Sequence, residues 1–370
     1  MSIEDLKDLR NRLAKVSKGT HVSLLADSDI AAVKDFFPTP SYDLNRILTG
    51  SLFKGVGSKT FTLLVGPEAS FKSSCMCLCA AEAQKQGYTP IIIDTEGAWT
   101  AEFVERWGMD AKNTIYIYTP WVDDIMLELG NIIDSGDRKL CIIVDSIGGM
   151  EARKLVDDAV KGDVKADQGQ LTRKIKRLLK MILNITKNQD SVAFASAHLY
   201  ANTSGYGDVN QVGGGYFVKL GPDTIVMLKK TKLLDKEKNV IGNSVTATTI
   251  KNRFYPAFSE ATIEIDYVKG INPLAGMVEL AVNAGLIEKG GAGWYTNLVS
   301  GEKIQGEANA EKCIDEALLN KIDEWISKSG YSSVNKEMAA IMEATLTKME
   351  EQSVDLEDVI DKPRRVLKRG

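Results

Sequence analysis

Residues 66 to 74 read Gly66-Pro67-Glu68-Ala69-Ser70-Phe71-Lys72-Ser73-Ser74, directly after the apolar run Phe61-Thr-Leu-Leu-Val65. This is the phosphate-cradle pattern, a buried strand delivering a loop whose backbone N–H groups and following helix N-terminus face anionic oxygens. In it Lys72 reaches the terminal phosphates and the Ser73 hydroxyl sits on Mg²⁺. The pattern departs at one position: a second glycine belongs before the lysine, and here it is Phe71. That glycine supplies backbone dihedrals a β-carbon disfavours, so the loop is expected to be strained or to take a variant path. A strand, a turn and a helix carrying a chance Lys-Ser would look the same in isolation.

Two further apolar strands end in acids. Ile91-Ile-Ile-Asp94-Thr-Glu96 places Glu96 at a strand tip, where it orients or deprotonates a water. Cys141-Ile-Ile-Val-Asp145-Ser is the Walker-B arrangement, whose aspartate holds Mg²⁺ through water. Each acid alone could be an N-cap. Both together, after a phosphate loop, favour a nucleotide site.

The elements that must position these residues follow from periodicity. Apolar strands are expected at 60–65, 90–94, 114–118, 140–145, 191–197 and 223–229, with helical patterns between the first five. The alternation predicts a mostly parallel sheet covered on both faces, with the ligand beyond the carboxyl ends of its strands. Residues 1 to about 35 read as helix, with Leu6, Leu9 and Leu13 at helical spacing, and Phe37-Pro38-Thr39-Pro40 is a break. A hairpin-like stretch runs from 224 to 267 around a charged turn, followed by short helices and glycine-rich turns. The tail from Glu350 carries a block of acids, then Lys362, Arg364, Arg365, Lys368 and Arg369, and reads as solvated.

Composition bounds the rest. The 370 residues exceed the usual size of a single core, so a large domain plus smaller ones is expected. Net charge is −4, so contact with nucleic acid must rest on local basic patches. The start lacks the apolar core of a secretion signal, and no apolar run is long enough to cross a bilayer, which points to the cytosol. Cys75, Cys77, Cys79, Cys141 and Cys313, with only His21 and His198 beside them, read as small buried hydrophobes rather than zinc ligands.

In order along the chain, the phosphate loop, Asp94-Thr-Glu-Gly-Ala, Val144-Asp-Ser, Gly213-Gly-Gly, Ile250-Lys-Asn-Arg-Phe-Tyr-Pro-Ala-Phe, Gly270-Ile-Asn-Pro, Leu286-Ile-Glu-Lys and Gly293-Trp-Tyr resemble the RecA/Rad51 recombinase family. The likeness runs from about residue 40 to 310 and is greatest to the bacterial RecA and phage UvsX-type branch, whose loop variant Phe71 resembles. It implies an α/β fold with a RecA-like P-loop core at 41–270, an N-terminal oligomerisation helix within 1–40, a small α+β domain at 271–345 and a mobile tail at 346–370.

The resemblance also implies roles. ATP and Mg²⁺ would be the cofactors, with Glu96 the water-activating base and Phe103 in the place of an aromatic that stacks on adenine. His198 stands where the family senses the γ-phosphate, and Lys251 and Arg253 look like a pair that reaches a neighbour's ATP across a filament interface. The segments 157–168 and 200–215 correspond to the two DNA loops, with Gly213 and Gly214 against phosphate. Either Tyr206 or Val209 would wedge between bases. Between the loops, Arg173 and Arg177 lie on a helix with an apolar stripe (Leu171, Ile175, Leu178, Leu179, Ile182) and are either a solvated face or phosphate contacts. Lys229 and Lys230 match a basic pair at a second, weaker DNA site, although the bases expected near 244–247 are missing. The implied activity is a DNA-dependent ATPase that forms a helical filament of its own copies on single-stranded DNA and exchanges strands with a homologous duplex. Single-strand-binding and mediator proteins are implied partners, and no membrane is. The alternatives are a nucleotide-binding regulator without strand exchange or a helicase-type motor. A helicase would add an N-terminal domain too large for the first 40 or so residues.

Overall fold

The computed structural model describes residues 3–16, 21–30, 32–134, 138–154, 156, 168–201, 210–212 and 217–329. Along these, the helices are α1 (Ile3–Val16), α2 (Tyr42–Thr49), α3 (Lys72–Lys85), α4 (Ala101–Arg106), α5 (Val122–Asp134), α6 (Gln168–Asn188), α7 (Phe217–Leu220), α8 (Met277–Asn283) and α9 (Glu316–Ser329). The strands are β1 (Phe36–Phe37), β2 (Val56–Gly57), β3 (Phe61–Gly66), β4 (Thr89–Asp94), β5 (Ile115–Tyr118), β6 (Leu140–Asp145), β7 (Val192–Ala201), β8 (Asn210–Val212), β9 (Thr224–Leu234), β10 (Val240–Asn252) and β11 (Glu260–Asp266). They continue with β12 (Gly270–Asn272), β13 (Ile287–Lys289), β14 (Trp294–Asn297) and β15 (Lys303–Gln305).

A large mixed sheet carries the order β12-β11-β10-β9-β3-β7-β6-β4-β5, with β8 paired to β7. From β9 to β5 the pairings are parallel, and β10 to β12 extend the sheet antiparallel. The parallel strands β3 and β6 are buried along their whole length, as continuous apolar runs covered on both faces must be. Alternate side chains feed opposite layers. Leu64, Ile92, Ile143 and Phe194 pack against α2 and α3, while Leu63, Ile93, Val144 and Ala195 pack against α5 and α6. Cys75, Cys77, Cys79 and Cys141 lie in the first of these layers as buried free thiols.

Beyond β12, α8, α9 and the antiparallel sheet β13-β14-β15 enclose a separate cluster around Met277, Tyr295, Leu318 and Ile322, joined by Leu52. The helix expected to reach about residue 35 is shorter. It is described as far as Val16, and among the described residues between it and β1 the helical structure is a 3-10 turn at Leu25–Asp27. No residue of α1 is buried, and its leucines at 6, 9 and 13 are exposed. Among the described residues, no helix is long and apolar enough to cross a membrane. Most of the two expected DNA loops, with Tyr206, Val209, Gly213 and Gly214, and the tail from 330 lie outside the described residues.

Candidate functional site

The loop between β3 and α3 is built around close backbone approaches. A β-carbon on Gly66 would stand 2.5 Å from the carbonyl oxygen of Leu228 and 2.6 Å from Ser70 Oγ, so only glycine fits. Phe71, just before α3, holds the left-handed conformation (φ 81°, ψ 9°) that the missing glycine usually supplies. A side chain there costs about 1–2 kcal/mol. The ring offsets part of this by packing edge-on against Trp107, with centroids 5.3 Å apart at 76°. The variant loop thus holds two non-glycine residues, Ala69 (φ 54°) and Phe71, in the left-handed region.

The next side chain, Lys72, folds back and donates to the carbonyls of Gly66 (3.1 Å) and Pro67 (2.7 Å). Burial pushes its pKa down, and the nearby carboxylates of Asp145, Glu96 and Glu68 oppose that. Ser70 Oγ is buried without a hydrogen-bond partner. An orphan hydroxyl, a buried ammonium and a helix N-terminus share one loop, and each gains from a phosphate.

Asp145 closes β6 beside this loop. Its Oδ2 accepts from Ser73 Oγ (2.6 Å) and Trp99 Nε1 (2.9 Å), and Oδ1 accepts from Ser196 Oγ. Ser73 and Asp145 therefore present adjacent hard oxygens, the donor set that suits a Mg²⁺ whose other ligands are phosphates and water. Among the described residues no group of three or more His, Cys, Asp or Glu side chains forms a self-sufficient metal cage.

Glu96 stands at the tip of β4. The turn that presents it is made by Asp94, fully buried, which accepts from the backbone N–H of Glu96 (2.9 Å), Gly97 (2.8 Å) and Trp99 (3.0 Å) and from the Tyr116 hydroxyl (3.0 Å). Glu96 Oε1 accepts from Ser146 Oγ (2.6 Å) and lies 3.3 Å from His198 Nε2 on β7, one strand beyond β6. Four strand ends, those of β3, β4, β6 and β7, thus bring Lys72, Ser73, Asp145, Glu96 and His198 to one cleft of about 630 Å³.

Phe103, Arg106 and Trp107 form one wall of that cleft, and Lys230, Asn243, Asp266 and Tyr267 another. Phe103 packs edge-on to Trp99 at 5.3 Å, and the Thr100 side chain caps α4 through the Phe103 N–H. Sequence reasoning missed Tyr267, Trp99, Ser146 and Ser196. Only Tyr267 left a signal, as an aromatic closing a strand at the carboxyl end of the sheet.

A model of the RecA N-terminal domain matches residues 7–272. The chain belongs to the RecA family. It is 27% identical to a "Protein RecA" of Thioalkalivibrio sulfidiphilus over 283 residues, covering 74% of this chain and 80% of the relative. A "Protein RecA" of Oleidesulfovibrio alaskensis is 26% identical over 264 residues (71% and 74%), and one of Colwellia psychrerythraea is 27% identical over 284 residues (74% and 80%).

On this RecA-family core, Lys251 and Arg253 lie far from their own phosphate loop. Lys251 aligns across β9 with Ile225, and Ile225 aligns with Leu63 in β3, whereas the loop leaves β3 at Gly66. Three residues of strand put about 10 Å between those levels, and Arg253 lies further toward the amino ends, paired with Asp223 at 3.1 Å. Burial and the neighbouring Arg253 push the Lys251 pKa down. The basic pair after β9's core divides: Lys230 lines the nucleotide cleft, and Lys229, next in the strand, points to the other face. On α6, Arg173 and Arg177 are exposed, Lys174 pairs with Asp123 at 2.8 Å, and Lys176 and Lys180 flank the Phe217 ring.

Proposed function

We propose that this chain is an ATP-dependent recombinase of the bacterial RecA and phage UvsX-type branch that polymerises on single-stranded DNA, pairs it with a homologous duplex and exchanges strands. ATP supplies the phosphoanhydride bond. Within the chain, Lys72 and Ser70 hold phosphate oxygens, Ser73 and Asp145 hold Mg²⁺, and Phe103 and Tyr267 bracket the base. Glu96 orients a water and takes its proton. Among the described residues its two side-chain contacts fall on Oε1, and Oε2 is the acceptor.

The observation that carries the proposal is the Glu96–His198 contact. His198 belongs to β7, the strand whose continuation enters the glycine-rich segment 202–215. A change at the terminal phosphate that moves Glu96 is thereby passed to the segment proposed to grip DNA, a local contact with a distant readout. Lys251 and Arg253, out of reach of their own loop, complete the site of an adjacent copy and neutralise charge on the transferring group. The exposed arginines 173 and 177 contribute phosphate contacts.

Steady-state ATP hydrolysis with and without single-stranded DNA tests this. Strong stimulation by DNA is expected; a rate indifferent to DNA would leave a nucleotide-binding regulator as the better description.

A further inference from the structure

The cations proposed to act on a neighbour's nucleotide are both fastened to one short segment, 219–223. Lys251 Nζ donates to the Leu220 carbonyl (2.7 Å) and lies 3.4 Å from that of Lys219, at the end of α7. Arg253 Nη1 pairs with Asp223 Oδ1 at 3.1 Å. Asp223 is an acid with only 1% of its side chain exposed, while Arg253 keeps 57% of its own in the open.

The two carboxylate oxygens of Asp223 do different work. Oδ2 accepts from the Phe61 backbone N–H (3.0 Å), the first residue of the strand that ends in the phosphate loop, and lies 3.5 Å from Lys187 Nζ. Oδ1 meets Arg253. The segment is also locked in place through its backbone, since the Asp223 N–H donates to the Phe61 carbonyl at 2.8 Å. If Asp223 served the fold alone, the Oδ2 contacts would suffice. A buried charge retained with a second oxygen aimed at an exposed guanidinium needs another reason.

We propose that Asp223 is a positioning residue that aims Arg253, and with it Lys251, at the nucleotide of an adjacent protomer. This rests on the shared-site reading above. α7 follows directly on the glycine-rich segment, so the same anchor ties the trans cations to the segment proposed to grip DNA. Misplacement by about 1 Å at a reacting centre can cost about a hundredfold, so a mis-aimed guanidinium is enough to silence a neighbour.

Asp223→Asn tests this with little change of shape. The amide oxygen still accepts from Phe61 N–H, while the charge that draws Arg253 is removed. Asp223→Asn is expected to bind nucleotide as a free protomer yet lose DNA-stimulated turnover by roughly ten- to a hundredfold. The deciding readout is mixing. In equal mixture with Lys72→Ala, Asp223→Asn should regain about a quarter of wild-type turnover, since one head-to-tail interface in about four joins an intact loop to intact cations. With Lys251→Ala it should regain none, because both copies lack competent cations. Recovery with Lys251→Ala as well would place Asp223 at its own loop and overturn the proposal. So would recovery with neither while Lys72→Ala and Lys251→Ala rescue each other; if that reference pair is itself silent, the shared-site reading falls and the proposal with it. Asp223→Glu, which keeps the charge but shifts it by one methylene, is the second variant should the asparagine form not fold. It should show the same polarity of rescue with a smaller loss.

Discussion

Replacing Trp107 by alanine probes how the phosphate loop tolerates Phe71. The Phe71 backbone at φ 81° carries a penalty of about 1–2 kcal/mol that glycine would not. Its edge-on contact with Trp107 at 5.3 Å returns about 0.5–1.5 kcal/mol. Phe71→Gly therefore removes a strain and a contact of similar size and should leave nucleotide affinity within a few fold of wild type. Trp107→Ala removes the contact and leaves the strain, so the loop loses preorganisation and affinity for a non-hydrolysable ATP analogue should fall by about fivefold, near 1 kcal/mol. Placed on the Phe71→Gly background, Trp107→Ala should cost much less, giving a coupling of about 1 kcal/mol in the double-mutant cycle. Calorimetric titration of the four proteins with analogue and Mg²⁺ measures it. Equal losses in both backgrounds would refute the reasoning, because the loop would then be held by its backbone alone.

Other outcomes follow from the same geometry. Lys72→Ala should abolish ATP hydrolysis in a steady-state assay. Ser196→Ala, which strips a buried donor from Asp145, should raise the Mg²⁺ concentration needed for half-maximal turnover several-fold, given about 1–3 kcal/mol for an acceptor left unpaired. Arg173→Ala and Arg177→Ala should each weaken binding to single-stranded DNA and lower the slope of log affinity against log salt by about 0.7. Asp35 has its pKa held below the ordinary range, chiefly by the Lys139 hydrogen bond and then by the Tyr88 hydroxyl. Its stabilisation is present above the unfolded pKa and fades as pH falls through the folded value. Asp35→Asn should therefore melt below wild type at pH 7, and the gap should close on acidification below about pH 4.

The core and the phosphate loop were legible because their signals are local. β3, β4 and β6 are apolar runs fixed by burial on both faces, and each ends in residues that chemistry demands. Trp99, Ser146 and Ser196 were not legible, since their value lies in pointing at Asp145 or Glu96 across strands far apart in sequence. Lys230 shows the other difficulty. A register shift between Val240 and Gly242, and another between Thr249 and Lys251, set which β9 and β10 side chains face the cleft, and a one-residue slip would exchange Lys229 with Lys230. The overlong first helix came from extending the leucine spacing past Val16 into a segment with no such period.

Light scattering of the chain with a single-stranded oligonucleotide tests most directly the claim that nucleotide at a shared interface governs the grip on DNA. With a non-hydrolysable ATP analogue, scattering should rise and persist to higher salt than with ADP, and Lys251→Ala, though it still binds the analogue, should lose that difference. Assembly indifferent to the nucleotide supplied, or a Lys251→Ala protein that keeps the analogue's advantage, would contradict the account.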